Sequence, residues 1–200
     1  MDACFTVWRD KSRLLIIGAG GHGRSVAEAA ELSGAFAVVG FLDDSLPAGE
    51  AVLGASVLGP VLSMVNHCAL FDRVIVAIGN NRLRETIVDQ IEAARFEMAT
   101  VIHPRAFVSP RAVVGKGSTV MACAVLGTEA KLGVGTIVNC AAVVDHHAQV
   151  EDFGHLGVNA SMAGGSILGR GAWMQAGSAL GYGVVIPAGG VLRPGEAVEH

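Results

Sequence analysis

Aromatic residues make up only 5% of this 200-residue chain, and charged residues 16%. So little charge beside 52% apolar residues excludes a disordered chain, which would be charged and poor in aliphatics. Basic residues are too few for a nucleic-acid footprint: 14 Lys and Arg against 18 Asp and Glu leave a formal charge of −4, with no basic stripe. No apolar run approaches the ~18–20 residues of a membrane span. The opening "MDACFTVWRDKSR" has an early acid and no apolar core, so it does not read as a signal peptide. The cysteines are four, Cys4, Cys68, Cys123 and Cys140, without CxxC spacing. They read as free thiols of a cytoplasmic protein.

What the chain does have is glycine, 27 residues of it, and short aliphatic runs. In the first half, "RLLII" (13–17) reads as a buried strand. "GAGGHGR" follows, then "SVAEAAELSG" with helical spacing and a Gly stop. "FAVVGFLDD" (36–44) and "DRVIVAIGN" (72–80) are two further strands, and 81–96 is a helix with Leu83, Ile87, Ile91 and Ala94 on its apolar face. Strands alternating with helices predict a small parallel sheet, an α/β domain over 1–98 that is too short for a two-halved dinucleotide fold.

Gly18, Gly20 and Gly23 satisfy G-x-G-x-x-G, with Gly21 and His22 inside it. Such a turn brings backbone close to a phosphate at the N-terminus of the next helix. Asp43 and Asp44 lie about 20 residues beyond Gly23, where a ribose-binding acid belongs. The alternative is a Gly-rich turn that binds nothing. His22 caps the helix or touches phosphate. Asn80, Asn81 and Arg82 project into the same crevice toward a base or sugar, or an Asn caps the helix.

From Ala99 to His200 the chain divides into 17 six-residue blocks without insertion or deletion, and the fourth residue of each is Ile, Val, Leu or Met. The second is small except at Val184 and Glu196, and the first is often Gly. A period of six fits no amphipathic helix. In extended chain, positions two and four face the same way, so one short strand and one corner per block wind a β-solenoid with the aliphatics stacked inside. No coil buries its own face, so the coils must stack. Trp173 then faces outward and Met174 inward, and the second domain is 99–200.

"IIGAGGHGR", "GFLDD", "AIGN", "IHP" and "VDH" occur in that order. With the blocks, the chain over about 13–190 resembles the hexapeptide-repeat acyltransferases, and within them the bacterial sugar acetyltransferases related to the sialic-acid O-acetyltransferases. That resemblance implies a left-handed parallel β-helix behind a nucleotide-sugar-binding α/β domain. It also implies acetyl-CoA as co-substrate, and a homotrimer with active sites between subunits.

The resemblance assigns the general base to His146, a sugar contact to Asn139 and a place near the acetyl group to His155. Three blocks make one coil in this family, which puts the Gly164 N–H one layer from His146 as a thioester-oxygen donor. Gly177, Gly181 and Gly183 form the pantetheine track. One departure stands out. The residue after the base is usually an acid that orients it, and here it is His147, leaving Asp145 or Glu151 as candidates for that role. His103 reads as a turn residue, and no metal site is expected, because no carboxylate or thiolate is aimed with the histidines.

The function expected is N-acetylation of the amine of a nucleotide-linked amino sugar. The alternatives are O-acetylation of a sialic-acid-like sugar and, on the glycine motif alone, a nucleotide-binding module or NAD-dependent oxidoreductase.

Overall fold

The computed structural model describes residues 11–199. Cys4, most of the opening segment and His200 lie outside the described residues. The first domain is built on β1 (Ser12–Ile17), which pairs in parallel with β2 (Phe36–Leu42) and β5 (Arg73–Val76). Residues 14–17 are all aliphatic because both faces of β1 are covered there. Leu14 and Ile16 pack with α1 (Gly21–Leu32), while Leu15 and Ile17 pack with α2 (Asn81–Ala93).

The 45–71 stretch carries structure that no periodicity announces. A hairpin of β3 (Ala51–Val52) and β4 (Ala55–Gly59) extends the sheet, giving the order β3-β4-β2-β1-β5, and a 3₁₀ helix spans Val61–His67. The sheet is therefore mixed, with one antiparallel pair at its edge.

The expected face of α2 is rotated. Leu83 is 48% exposed and Ala94 is exposed, and the buried positions are Arg84, Ile87, Val88 and Ile91. A charged residue has taken the place assigned to an apolar one.

The second half is a β-helix. Seventeen two-residue strands, β6 (Val101–Ile102) to β22 (Ala197–Val198), form three parallel sheets of six, five and six strands. Partners are 18 residues apart, as in Val125↔Val143 and Val143↔Ser161, so three blocks make one coil. The fourth-position residues from Val120 to Leu192 are buried in one continuous core, and only those at the two ends, Ile102, Val108, Val114 and Val198, are partly exposed.

The corners are four-residue turns, and all but 115–118 and 133–136 are closed by a backbone hydrogen bond, such as Ala148 N–H to the Asp145 carbonyl. Its second central residue, the first of each block, has positive φ at all fourteen corners from Gly117 to Gly195. That is the requirement of a type II turn, and it explains why glycine favours this place. Cys123, Glu129, Ala141, His147, Phe153 and Asn159 hold it without being glycine.

The two domains share their packing. Val101 and Met121 belong to the cluster beneath α1, and Phe153 to the cluster beneath α2. Arg84, fully buried, reaches across. It donates to the carbonyls of Gly135 (2.7 Å), Phe153 (2.8 Å) and Ile78 (2.9 Å), and to Asn81 Oδ1 (2.9 Å). Burial lowers its pKa to about 10, against the pull of Glu85, so it stays charged at neutral pH. Arg170 adds a rim to this seam, bonded to Glu85 and Asp152 with its guanidinium 4.9 Å from the centre of the Phe153 ring.

Candidate active site

The glycine turn, the ends of β1, β2 and β5, and the start of α2 enclose a cavity of about 370 Å³. The glycines differ in what they do. Gly18 has φ +100° and lies so close to Ala77 that a Cβ would be 2.8 Å from its carbonyl oxygen. Gly23 is pressed on the Gly18 carbonyl. At Gly20 and Gly21 a Cβ would meet nothing within 4 Å, so the open side of the turn belongs to the cavity. There α1 begins at Gly21 with no side-chain cap on Gly20, leaving its first N–H groups free for an anion.

His22 lines the same cavity and does not cap the helix. Its Nε2 is shut off from water with no hydrogen-bond partner. Burial, then the charge of Arg84, pushes its pKa down to about 4, so it is neutral at pH 7.

Asp43 and Asp44 both line the cavity, and both also brace its walls. Asp43 accepts from the Ala19 N–H at 2.7 Å and from Ser45, and Asp44 accepts from the Val61 N–H at 2.8 Å. Burial pushes Asp43 upward, but the bonds from Ala19, Ser45 and Leu46 outweigh it and hold its carboxyl below the usual range.

The trio after β5 divides. Asn80 caps α2, its Oδ1 accepting from the Leu83 N–H at 3.0 Å. Asn81 does not project into the glycine crevice. It donates to the Gly171 carbonyl at 2.8 Å and accepts from Arg84, so both ends of its amide join the domains. Arg82 is exposed, on the rim of a second cavity with His155, Trp173 and Val191.

His155 lies under the first domain. Its Nδ1–H donates to the Gly79 carbonyl (3.2 Å), its Nε2 accepts from Asn139 Nδ2 (2.9 Å), and its ring stacks on Trp173. Burial first, then Arg84 and His22, lower its pKa to about 3. A neutral ring with both nitrogens engaged is a positioned wall, and it lines the second cavity with Trp173 and Val191. Asn139 is half-buried beside it.

His146 stands at another edge of the prism, exposed at the corner 145–148. Eighteen-residue stacking brings three of the expected cofactor residues to that edge: Gly164 at the corner 163–166, and Gly181 and Gly183 at the corner 181–184. Gly177 sits at the corner 175–178, on a different edge, and drops out of this strip.

The His146 ring lies over Gly164, where a Cβ would be 2.5 Å from Nε2. Only glycine leaves room for the imidazole there. The Gly164 N–H has no acceptor among the described residues.

The contacts of His146 decide what orients it. Its Nδ1 is 3.0 Å from His147 Nδ1, and His147 Nε2 is 3.1 Å from a carboxylate oxygen of Glu129. Asp145 is not placed to do this. Its Oδ1 accepts the His146 backbone N–H at 2.7 Å, and its Oδ2 stands 3.8 Å from Nε2, beyond hydrogen-bond length and beside the wrong nitrogen. Glu151 is occupied by the Arg170 N–H at 2.8 Å. Glu129 went unnoticed in the sequence, although it lies 18 residues before His147, one coil away on the same edge. Tyr182, 69% exposed, lies on the other side of His146 with ring centres 6.3 Å apart. Among the described residues, no group of three His, Cys, Asp or Glu is arranged to hold a metal ion.

Residues 13–91 match the family model of the PglD N-terminal domain. Perosamine N-acetyltransferase from Caulobacter crescentus, solved as a histidine-to-asparagine variant with CoA and GDP-perosamine, is 32% identical over 92% of this chain and 90% of its own, with a TM-score of 0.82. The chain belongs to the PglD-like hexapeptide-repeat acetyltransferases. The acetyltransferase domain of PglB from Neisseria gonorrhoeae, solved with acetyl coenzyme A, shares 36% identity over 90% of this chain and 95% of its own, with a TM-score of 0.78. A UDP-N-acetylbacillosamine N-acetyltransferase of Bacillus subtilis is 31% identical over 110 residues, and that match spans half of the relative's length. Family members of this kind thus carry the same two-part architecture over nearly the whole chain.

Proposed function

We propose that this chain is an acetyl-CoA-dependent N-acetyltransferase acting on the amine of a nucleotide-linked amino sugar. The observation that carries the reading is the His146 imidazole over Gly164, on an edge stripped of side chains at Gly164, Gly181 and Gly183. That bare strip suits an extended pantetheine chain. The cavity at the glycine turn suits the nucleotide. It offers free helix N–H groups for phosphate and an apolar wall of Val61, Ile78, Leu83 and Ile87 for the base. Both ligand classes are those of the solved relatives.

The chemistry asked of the residues is modest. The amine nitrogen attacks the thioester carbon, forming the C–N bond while His146 Nε2 takes its proton. The Gly164 N–H receives the developing oxyanion. As the C–S bond breaks, the imidazolium returns the proton to the leaving thiolate. The Asp145 carboxylate stands 3.8 Å from the nitrogen that carries the proton in between.

The glycine cavity and His146 lie on different parts of one chain, and flat faces of the β-helix leave Phe107, Val113, Val185 and Val191 exposed by 57–60%. A homotrimer that buries these faces and joins one copy's cavity to a neighbour's edge fits both facts. No helix among the described residues is long and apolar enough to cross a membrane, and the free thiols Cys68, Cys123 and Cys140 suit a reducing cytoplasm. Among the described residues there is no second mononucleotide unit for the oxidoreductase alternative to stand on.

The test is thiol release from acetyl-CoA with a panel of nucleotide-linked amino sugars and their hydroxy counterparts. Amino sugars should turn over and hydroxy sugars should not. His146→Ala should lower turnover roughly 10²–10⁴-fold with Tm unchanged, and full activity in that variant would remove His146 from the mechanism.

A further inference from the structure

We infer that Glu129 is a positioning residue for His146, acting through His147 as a carboxylate–imidazole–imidazole chain that stacks across two coils. The inference rests on the reading of His146 as the base.

With both imidazoles neutral, the hydrogen bonds admit one consistent arrangement. An ionised carboxylate only accepts, so His147 Nε2 must carry a proton for Glu129 at 3.1 Å. A neutral His147 then has its lone pair on Nδ1. The Nδ1···Nδ1 contact of 3.0 Å needs one donor, which is His146. With its proton on Nδ1, His146 is left with a bare lone pair on Nε2, the nitrogen that lies over Gly164. Each ring's tautomer is set by the bond its other nitrogen makes. Without Glu129, His147 is free to put its proton on Nδ1. His146 would then accept there, carry its own proton on Nε2, and be no base.

The backbone supports the same relation. Glu129 and His147 both occupy left-handed corner positions, at φ 62° and 59°, and the His147 N–H donates to the Thr128 carbonyl at 3.0 Å. The two side chains are therefore neighbours by construction of the coil. They leave the corner side by side.

The experiment is a double-mutant cycle on kcat, with His146→Ala run beside it. Glu129→Ala should lower kcat about tenfold, far less than the ~10⁴ of a lost tautomer in a dry site, because water reaches these side chains. KM for both substrates should not change, nor should Tm. An acid at position 147 can accept from His146 Nδ1 directly, and Asp tolerates positive φ better than most residues. The more active of His147→Asp and His147→Glu should therefore exceed His147→Ala, and in that background Glu129→Ala should cost nothing or relieve a charge repulsion. An equal loss from Glu129→Ala in both backgrounds, or no loss in the parent, would overturn the inference. Full activity of His146→Ala would instead overturn the functional reading beneath it.

Discussion

Arg84 donates to the Gly135 carbonyl at 2.7 Å, binding the second helix of the sheet domain to a corner of the β-helix. Removing the guanidinium leaves three carbonyls without a donor, those of Gly135 and Phe153 buried and that of Ile78 partly so, and a buried unmet carbonyl costs about 1–3 kcal/mol. Arg84→Met should lower Tm by well over 10 °C. Arg84→Lys should recover only part of that, since a single ammonium cannot serve three separated carbonyls and Asn81 at once. Differential scanning calorimetry of the two variants checks the order.

Gly164→Ala tests the edge rather than the seam. A methyl there would stand 2.5 Å from His146 Nε2, so the ring must swing away from the bare strip. Turnover should fall about 10²-fold, as expected when a catalytic group is misplaced by an ångström, while thermal stability changes little. Unaltered kcat in a well-folded variant would show that the ring works from another position.

The buried histidines give the fold a pH dependence of known sign. His155 and His22 are neutral in the folded chain down to about pH 3 and 4, whereas the unfolded chain takes up protons near 6.5. Between those values the unfolded state binds more protons, so stability falls as pH falls below about 6.5 and is unaffected by these groups above it. His155→Gln removes its share. Its Tm should therefore drop less than the parent's between pH 7 and 4.5.

Ala141 holds a left-handed corner at φ 57°. Such a conformation costs an alanine about 1–2 kcal/mol, partly offset in Ala141→Gly by the looser unfolded chain. A rise in Tm of one to a few degrees is expected, about what ~0.5–1 kcal/mol gives in a domain this size.

Leu156 is fully buried, stacked between Val138 and Met174 in adjacent coils. Leu156→Asp places a carboxylate in that row with no partner, and should unfold several coils together. A soluble variant with parental circular dichroism and Tm would contradict the inward assignment.

The β-helix was readable because its burial repeats every six residues, and Leu156, Met162 and Leu168 are buried as their places in the blocks require. The α/β half was readable where strands are continuous aliphatic runs. It failed over 45–71, where the hairpin of Ala51–Val52 and Ala55–Gly59 occurs once and no repeat along the chain reinforces its pattern. Arg84 was missed for a different reason. On a helix, a charge beside Asn81 and Arg82 reads as solvent-facing, and only the second domain, packed against it, turns that position into an interior one. Glu129 was hidden by distance in the chain, yet the 18-residue stride recovers it.

That stride has a consequence for how the chain can be altered. Along any edge of the prism, each corner residue has a numbered understudy one turn away, reached by adding or subtracting 18. A group absent from its usual place need not be rebuilt there, because the storey below can lend it, as Glu129 does beneath His147.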